Sequence, residues 1–266
     1  MERRTVGILG AGTLGRAIAE GLLASGFPAE HLAVTVRSPA RAAELRRAGL
    51  TVCPDNVALI EGSDVVVVCV KPQSLADVLG APGVAEAARG RVLVSVAAGV
   101  RLARLCALVP DASIIRAMPN TPLVIREGMT VLAPAPGVSA EDVGVVERLF
   151  GAVGRVRVLD ERHLDAVTGL SGSGPAFAFV MLESLADGGV MMGLPRAVAI
   201  ELAAQTMLGA ARLVLERGEH PAALKDQVTT PAGCTIAGLL TMEDGRIRST
   251  LARTIQEATR VASGLG

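Results

Sequence analysis

Thr5-Val6-Gly7-Ile8-Leu9-Gly10-Ala11-Gly12-Thr13-Leu14-Gly15 is the stretch on which the reading of the fold turns. A short β-prone run meets three glycines at Gly10, Gly12 and Gly15, and Arg16–Ala24 then reads as a helix. Strand, glycine turn and helix in that order form a dinucleotide fingerprint. The first glycine makes the tight turn, the second lets backbone approach a pyrophosphate, and the third lets helix close on strand. Free N–H groups and the positive end of the helix then face the phosphate charge. With Ala11, Thr13 and Leu14 completing the loop, Gly10–Gly15 is the expected cofactor cradle.

Outward from this point the pattern continues. Leu32–Val36, Val65–Val70, Val92–Val96 and Ser113–Arg116 are further β-rich runs with helix-length sequence between them, which argues a parallel sheet with helices on both faces. Val65–Val70 does not alternate with polar residues, so it belongs at the sheet centre, covered on both sides. Met129–Ala133 and Arg155–Leu159 extend the sheet around a helix at Ser139–Phe150, with Ser139 as its cap. After Asp160 the β signals stop. Helices are expected at Glu161–Leu170, Ala176–Met192, Arg196–Arg217, Pro221–Thr229, Thr235–Met242 and Gly245–Ala262. Several are apolar around most of their circumference, Ala176–Met192 above all, and need cover on every side. The expected class is therefore α/β: a Rossmann-type doubly wound sheet over residues 1–160, followed by an all-helical dimerisation and substrate domain over 161–266. Two copies of the chain should pair through the helical half.

Composition narrows the partners. The 266 residues carry 26 Lys plus Arg against 26 Asp plus Glu, with no Trp and no Tyr. No net positive field exists to hold nucleic acid or an anionic membrane, so a small molecule is the expected partner. The longest apolar run, Val65–Val70, falls far short of the ~20 residues that cross a bilayer, and no membrane span is expected. Met1–Thr5 leads straight into a strand pattern without the apolar stretch of a signal peptide, which points to the cytoplasm. Cys53, Cys69, Cys106 and Cys234 are widely spaced with no C-x-x-C, so neither a disulfide framework nor a metal site is expected. His31, His163 and His220 fall in no nucleophile or metal pattern.

The second strand ends at Arg37-Ser38, where an enzyme using NADH would present Asp or Glu to the ribose. A guanidinium and a hydroxyl there can bind a 2′-phosphate, so NADPH is favoured with NADH as the alternative. The competing reading is that Arg37 and Arg41 are ordinary solvated charges. Ligands in such sheets lie beyond the carboxyl ends of the strands. That draws in Val70-Lys71-Pro72 and Ala97-Ala98, along the path of the nicotinamide half. Asn56 is counted with the cofactor residues. Thr230-Pro231-Ala232-Gly233-Cys234-Thr235 reads as a small-residue turn opening a helix, whose N–H groups either receive an anion or serve only to start the helix.

These blocks stand together in one order. Gly10–Gly15, Val70-Lys71-Pro72, Ala97-Ala98-Gly99-Val100, Arg116-Ala117-Met118-Pro119-Asn120-Thr121-Pro122, Gly169-Leu170-Ser171-Gly172-Ser173-Gly174-Pro175-Ala176 and Leu224–Ile236 resemble the sequence of pyrroline-5-carboxylate reductases over essentially the whole chain. The resemblance implies reduction of the C=N bond of 1-pyrroline-5-carboxylate to L-proline, the last step of proline biosynthesis. It implies Thr235 as the catalytic hydroxyl at the ring nitrogen, and Met118, Asn120, Ser171, Ser173, Thr230, Gly233 and Cys234 around the substrate. It also implies dimers gathered into a decamer. One departure is visible: the family usually has Gly-Gly where this chain has Ala232-Gly233, and commonly Ser where it has Thr230. A β-hydroxyacid dehydrogenase shares the general layout, but its catalytic Lys and Asn would fall at Ala178 and Met181. Without that Lys, alcohol oxidation lacks its proton carrier. A non-catalytic NADP(H)-binding module would leave the Thr230–Thr235 turn without a purpose.

Overall fold

The computed structural model describes residues 4–264. In chain order the elements are β1 (Val6–Leu9), α1 (Thr13–Ala24), β2 (Leu32–Thr35), α2 (Pro39–Arg47), β3 (Thr51–Val52), α3 (Asn56–Glu61), β4 (Val65–Val68), α4 (Pro72–Leu79), α5 (Val84–Ala87), β5 (Val92–Ser95), α6 (Leu102–Leu108), β6 (Ser113–Met118), β7 (Gly128–Pro134), α7 (Ala140–Gly151), β8 (Gly154–Val158), α8 (Leu164–Val167), α9 (Gly174–Met191), α10 (Arg196–Arg217), α11 (Pro221–Gln227), α12 (Cys234–Asp244) and α13 (Ile247–Ser263). The chain forms two compact units. The first runs to Ser173 and takes back the end of the chain from Glu257; the second is Gly174–Gln256.

The first unit is built on an eight-stranded sheet in the order β3-β2-β1-β4-β5-β6-β7-β8. As the valine run requires, β4 lies inside the sheet, with Val65 to Val68 each 0–1 % exposed. Successive residues of each strand serve opposite faces. Ile8, Val65, Val67 and Val94 pack with Ile18 and Leu22 of α1 and with Val146 and Phe150 of α7. Leu9, Val66, Val68 and Leu93 pack on the other face with Leu59, Leu75, Leu79 and Leu105. Each valine so buried is worth roughly 1.5–3 kcal/mol, which makes the doubly covered centre the stable part of the sheet.

Three points differ from the sequence pattern. β3 escapes it because two residues at a sheet edge carry no period. β7 runs antiparallel to β6, while β8 returns parallel to β7 through α7. The connection from Met118 to Gly128 is shorter than the dozen or so residues a parallel crossover needs. The single helix expected at Glu161–Leu170 is three pieces: a 3-10 turn at Glu161–His163, α8, and a π-helical turn at Thr168–Gly172. Asp160 caps the first through its side chain, and the Ser173 N–H donates to the Thr168 carbonyl at 2.9 Å, the wide spacing of a π turn.

In the second unit α9 and α10 form an antiparallel pair joined by Met192-Gly193-Leu194-Pro195. Gly193 takes φ +94°, and Gly189 and Ala199 sit where the helices approach. Ala186 and Ala199 are the buried residues of this unit, while Phe179, Val180, Leu185, Met191, Ile200, Leu202 and Leu240 are exposed.

Candidate active site

The parallel register places one end of the sheet level: Leu9 lies beside Thr35 and Val68, and Val68 beside Ser95. The segments leaving these strands therefore stand in a row, from Arg37-Ser38 through Gly10–Gly15 and Val70-Lys71-Pro72 to Ala97-Ala98. At about 4.8 Å per strand, the row from β2 to β5 spans roughly 14 Å.

Within the row, each glycine of the fingerprint has a distinct duty. Gly10 takes φ +91°, and a Cβ on it would stand 3.0 Å from Val70 Cγ1. Gly15 lies so close to the strand end that a Cβ would meet the Gly10 carbonyl at 2.6 Å. Gly12 is different, because nothing stands within 4 Å of where its Cβ would be. Nothing in the fold requires a glycine there. The N–H groups of Ala11 and Gly12 are spent on Thr35 and Gly10, whereas those of Thr13, Leu14 and Gly15 have no partner among the described residues. The open space at Gly12 and these three donors fit a bound pyrophosphate.

Thr35 ties the second strand to this loop. Its hydroxyl accepts from the Gly10 N–H at 3.2 Å and donates to Asn56 Oδ1 at 2.9 Å. The Asn56 amide group is thereby held at the start of α3 with its N–H bonds to spare. Arg37 and Ser38 are exposed. Ser38 caps α2 by accepting from the Arg41 N–H at 3.4 Å, which leaves its hydroxyl proton free to donate to an anion. Behind the loop, Cys69 packs against Gly10 and Gly15, and burial pushes its thiol up to about 12. Lys71 is exposed at the start of α4, and Ala97 is buried beneath the Val96 strand end.

The Met118–Asn120 segment and the π turn meet in the first unit. Asn120 Oδ1 accepts from the Met129 N–H at 2.8 Å, and its Nδ2 donates to the Ser171 carbonyl and hydroxyl at 3.3 and 3.4 Å. Met118 Sδ lies 3.6 Å from where a Cβ on Gly172 would stand. Asn120 thus spends its side chain joining three segments, and Ser173 closes the same turn. One buried charge nearby has no counterpart in the sequence reading: Arg116, 2 % exposed in the middle of a strand, with the half-buried Glu161 as its partner at 3.1 Å. An arginine inside an apolar strand is the signal that could have found it.

In the second unit, Thr230, Gly233, Cys234 and Thr235 share one turn. Gly233 caps α12 with no side chain, and a Cβ on it would collide with the Thr230 hydroxyl oxygen. Thr235 stands in the first turn of the helix. The hydroxyls of Thr229 and Thr241 donate to the Lys225 and Ala237 carbonyls, whereas that of Thr235 has no partner among the described residues. A free hydroxyl beside free N–H groups of a helix start can bind an anionic ligand and orient one of its polar atoms.

Comparison with known proteins settles the relationship. The family described as pyrroline-5-carboxylate reductase dimerisation matches residues 161–265, and that described as NADP oxidoreductase, coenzyme F420-dependent, matches residues 5–99. A pyrroline-5-carboxylate reductase of Arabidopsis thaliana is 42 % identical over 97 % of this chain and 94 % of its own length. The chain belongs to the pyrroline-5-carboxylate reductase family. The reductase of Schizosaccharomyces pombe is 47 % identical over 80 % of this chain and 75 % of its own. A pyrroline carboxylate reductase of Plasmodium falciparum, solved with NADP bound, superposes with a TM-score of 0.89 at 28 % identity, covering 100 % of this chain and 99 % of the other.

Membership in the reductase family bears on two local features. Ala232 stands at φ +57°, the left-handed region, at the position where the family pattern carries glycine. Helix α10 has the length and apolarity of a membrane span, with a mean hydropathy of 1.5 and only 6 % of that stretch buried. It lies wholly within the segment matched by the dimerisation family.

Proposed function

We propose that the chain is a pyrroline-5-carboxylate reductase, using NADPH to reduce 1-pyrroline-5-carboxylate to L-proline. The carrying observation is the glycine loop, open at Gly12 and set at a level row of parallel strand ends, in a chain similar end to end to reductases of that name. Gly10–Gly15 would hold the pyrophosphate, Arg37 and Ser38 the 2′-phosphate, and Asn56, Val70, Lys71, Pro72, Ala97 and Ala98 the remainder of the dinucleotide. When bound, the nicotinamide supplies the hydride.

Thr235 is the residue assigned to the imine: its hydroxyl holds the ring nitrogen while the N–H groups around Gly233 and Cys234 take the carboxylate. Thr230 keeps that turn closed, and Met118, Asn120, Ser171 and Ser173 border the ring. A protonated imine already carries its proton on nitrogen, so one hydride to carbon completes the amine. The chain then has only to orient the ring and hold its charge.

The functional division falls at 160/161, supported by the start of the matched dimerisation segment. Two chains pair through α9 and α10, and five such dimers form a decamer, in the cytoplasm, where four unpaired cysteines remain reduced. The test is purified chain with pyrroline-5-carboxylate and NADPH or NADH, following nicotinamide absorbance and proline formed, with light scattering for assembly. Cofactor binding without turnover would reduce the chain to an NADP(H)-binding module, and a monodisperse monomer at micromolar concentration would refute the pairing.

A further inference from the structure

Among the described residues, Arg116 is the one charged side chain in the buried interior. It sits in β6 between Ser95 of β5 and Ala133 of β7. Its Nη1 donates to Glu161 Oε1 at 3.1 Å, and that same oxygen accepts the Leu102 N–H at 2.7 Å. Asp165 Oδ1 lies 3.8 Å from Nη2, an ion pair beyond hydrogen-bond distance, and Nε and Nη2 have no hydrogen-bond partner. One carboxylate oxygen is therefore shared between a strand and the first N–H of α6.

What that oxygen joins is the point. Arg116 stands two residues before Met118–Asn120, and Leu102 three residues after Gly99 of Ala97–Gly99, where Gly99 takes φ +76°. These are the two loops assigned above to the nicotinamide half and the substrate ring. Ion pairs, exposed or buried, are weak sources of stability, and apolar side chains of like volume often serve the fold as well or better. The guanidinium here is also under-satisfied, which a purely structural contact gains nothing from.

We infer that Arg116 and Glu161 are positioning residues, which fix the Ala97–Gly99 loop against the Met118–Asn120 loop and so set the alignment for hydride transfer. The inference rests on the reaction proposed above. Neither residue touches the reacting atoms; both act through the loops they hold.

The test is the double variant Arg116→Met/Glu161→Leu, which replaces the pair by apolar side chains. Thermal unfolding should stay at or above that of the unaltered chain. Amide exchange in peptides covering 97–102 and 118–122 of the ligand-free chain should quicken about tenfold. The kcat should fall about 10- to 100-fold with KM for NADPH within about threefold, as for a small misplacement of reacting groups. Full kcat, or unchanged exchange in both peptides, overturns the inference. If the double variant does not fold, Glu161→Ala carries the test. That side chain is 29 % exposed, so water can reach the site it leaves. The same fall in kcat at constant KM is expected, with Glu161→Gln, which keeps the shared acceptor oxygen, retaining most of the rate; equal rates in all three chains overturn the inference. If the unaltered chain gives no turnover, the proposed reaction fails, and the exchange measurement alone decides whether the pair holds the two loops.

Discussion

Gly12→Ala separates the fold from its ligand. Gly12 has φ −74° and ψ −158°, which alanine adopts without strain, and no atom stands within 4 Å of the new methyl. Two small effects on stability oppose each other. Alanine restricts the unfolded chain, worth about 0.4–1 kcal/mol, but it is a poorer start to a helix than glycine by roughly 0.5–1 kcal/mol. The net change should lie within about 0.5 kcal/mol. For the cofactor the methyl enters the space the pyrophosphate needs, an overpacking that costs about 1–3 kcal/mol. At 1.4 kcal/mol per decade, that is about a 5- to 150-fold weaker Kd for NADPH. Gly15→Ala is the contrasting control, because its Cβ would stand 2.6 Å from a backbone carbonyl and 3.0 Å from Ile8 Cγ2, so the fold itself must shift. Thermal unfolding without ligand and a fluorescence titration with NADPH measure the two quantities apart. Undiminished affinity in a stable Gly12→Ala chain would mean that the phosphates do not approach this glycine.

Four further outcomes are expected. Arg37→Asp with Ser38→Ala should weaken NADPH at least tenfold more than NADH, since it sets a carboxylate where a 2′-phosphate would bind; parallel losses in titrations of both cofactors would move the phosphate elsewhere. Thr235→Ala should lower kcat/KM by about 10- to 1000-fold and Thr235→Ser should keep most of it, with NADPH affinity little changed in either; an undiminished rate in Thr235→Ala would leave the residue a helix-starting role only. The Cys69 thiol, held up at about 12 by burial, keeps its proton in the folded chain while the unfolded thiol loses it above about 8.5. Stability is therefore full below about pH 8.5 and falls by about 1.4 kcal/mol per pH unit from there towards 12, a slope that Cys69→Ala should lessen in denaturant titrations at pH 8 and pH 10. Ala232→Gly should relieve a left-handed alanine worth roughly 1–2 kcal/mol against a backbone-entropy cost of about 0.4–1, raising Tm by about one or two degrees in a melting curve; a lower Tm would show that the turn is unstrained.

The parts of the fold legible in the sequence are those governed by local chemistry. The fingerprint gave a strand, a turn and a helix because Gly10 and Gly15 each answer to a nearby atom. The valine run gave a covered central strand, and Ser139 gave a helix start, accepting from the Asp142 N–H at 3.0 Å. Helix α10 begins and ends where Pro195 and Gly218 say it should. The parts that were not legible depend on distant partners. The direction of β7 follows from the length of one loop, and the segment Glu161–Gly172 is engaged by Arg116 and Asn120 reaching in from elsewhere. For the site, the glycine loop joins β1 to α1 as the motif requires, and Thr235 lies in the first turn of α12. The engagement of Asn120 with Met129 and Ser171 had no trace in the spacing, because those contacts join residues far apart in the chain.

Helices with only Ala186 and Ala199 buried have one further consequence, for how the molecule comes into being. A segment of this kind gains its apolar burial when a second chain arrives, so folding of the helical half and association become a single bimolecular event. Its stability then depends on concentration: each tenfold dilution removes about 1.4 kcal/mol from the pair, and a melting temperature has meaning only with the protein concentration beside it. Freshly made chains at low abundance would hold the sheet unit formed and the helices waiting, so that the cell acquires active enzyme as the square of chain concentration until pairing is complete.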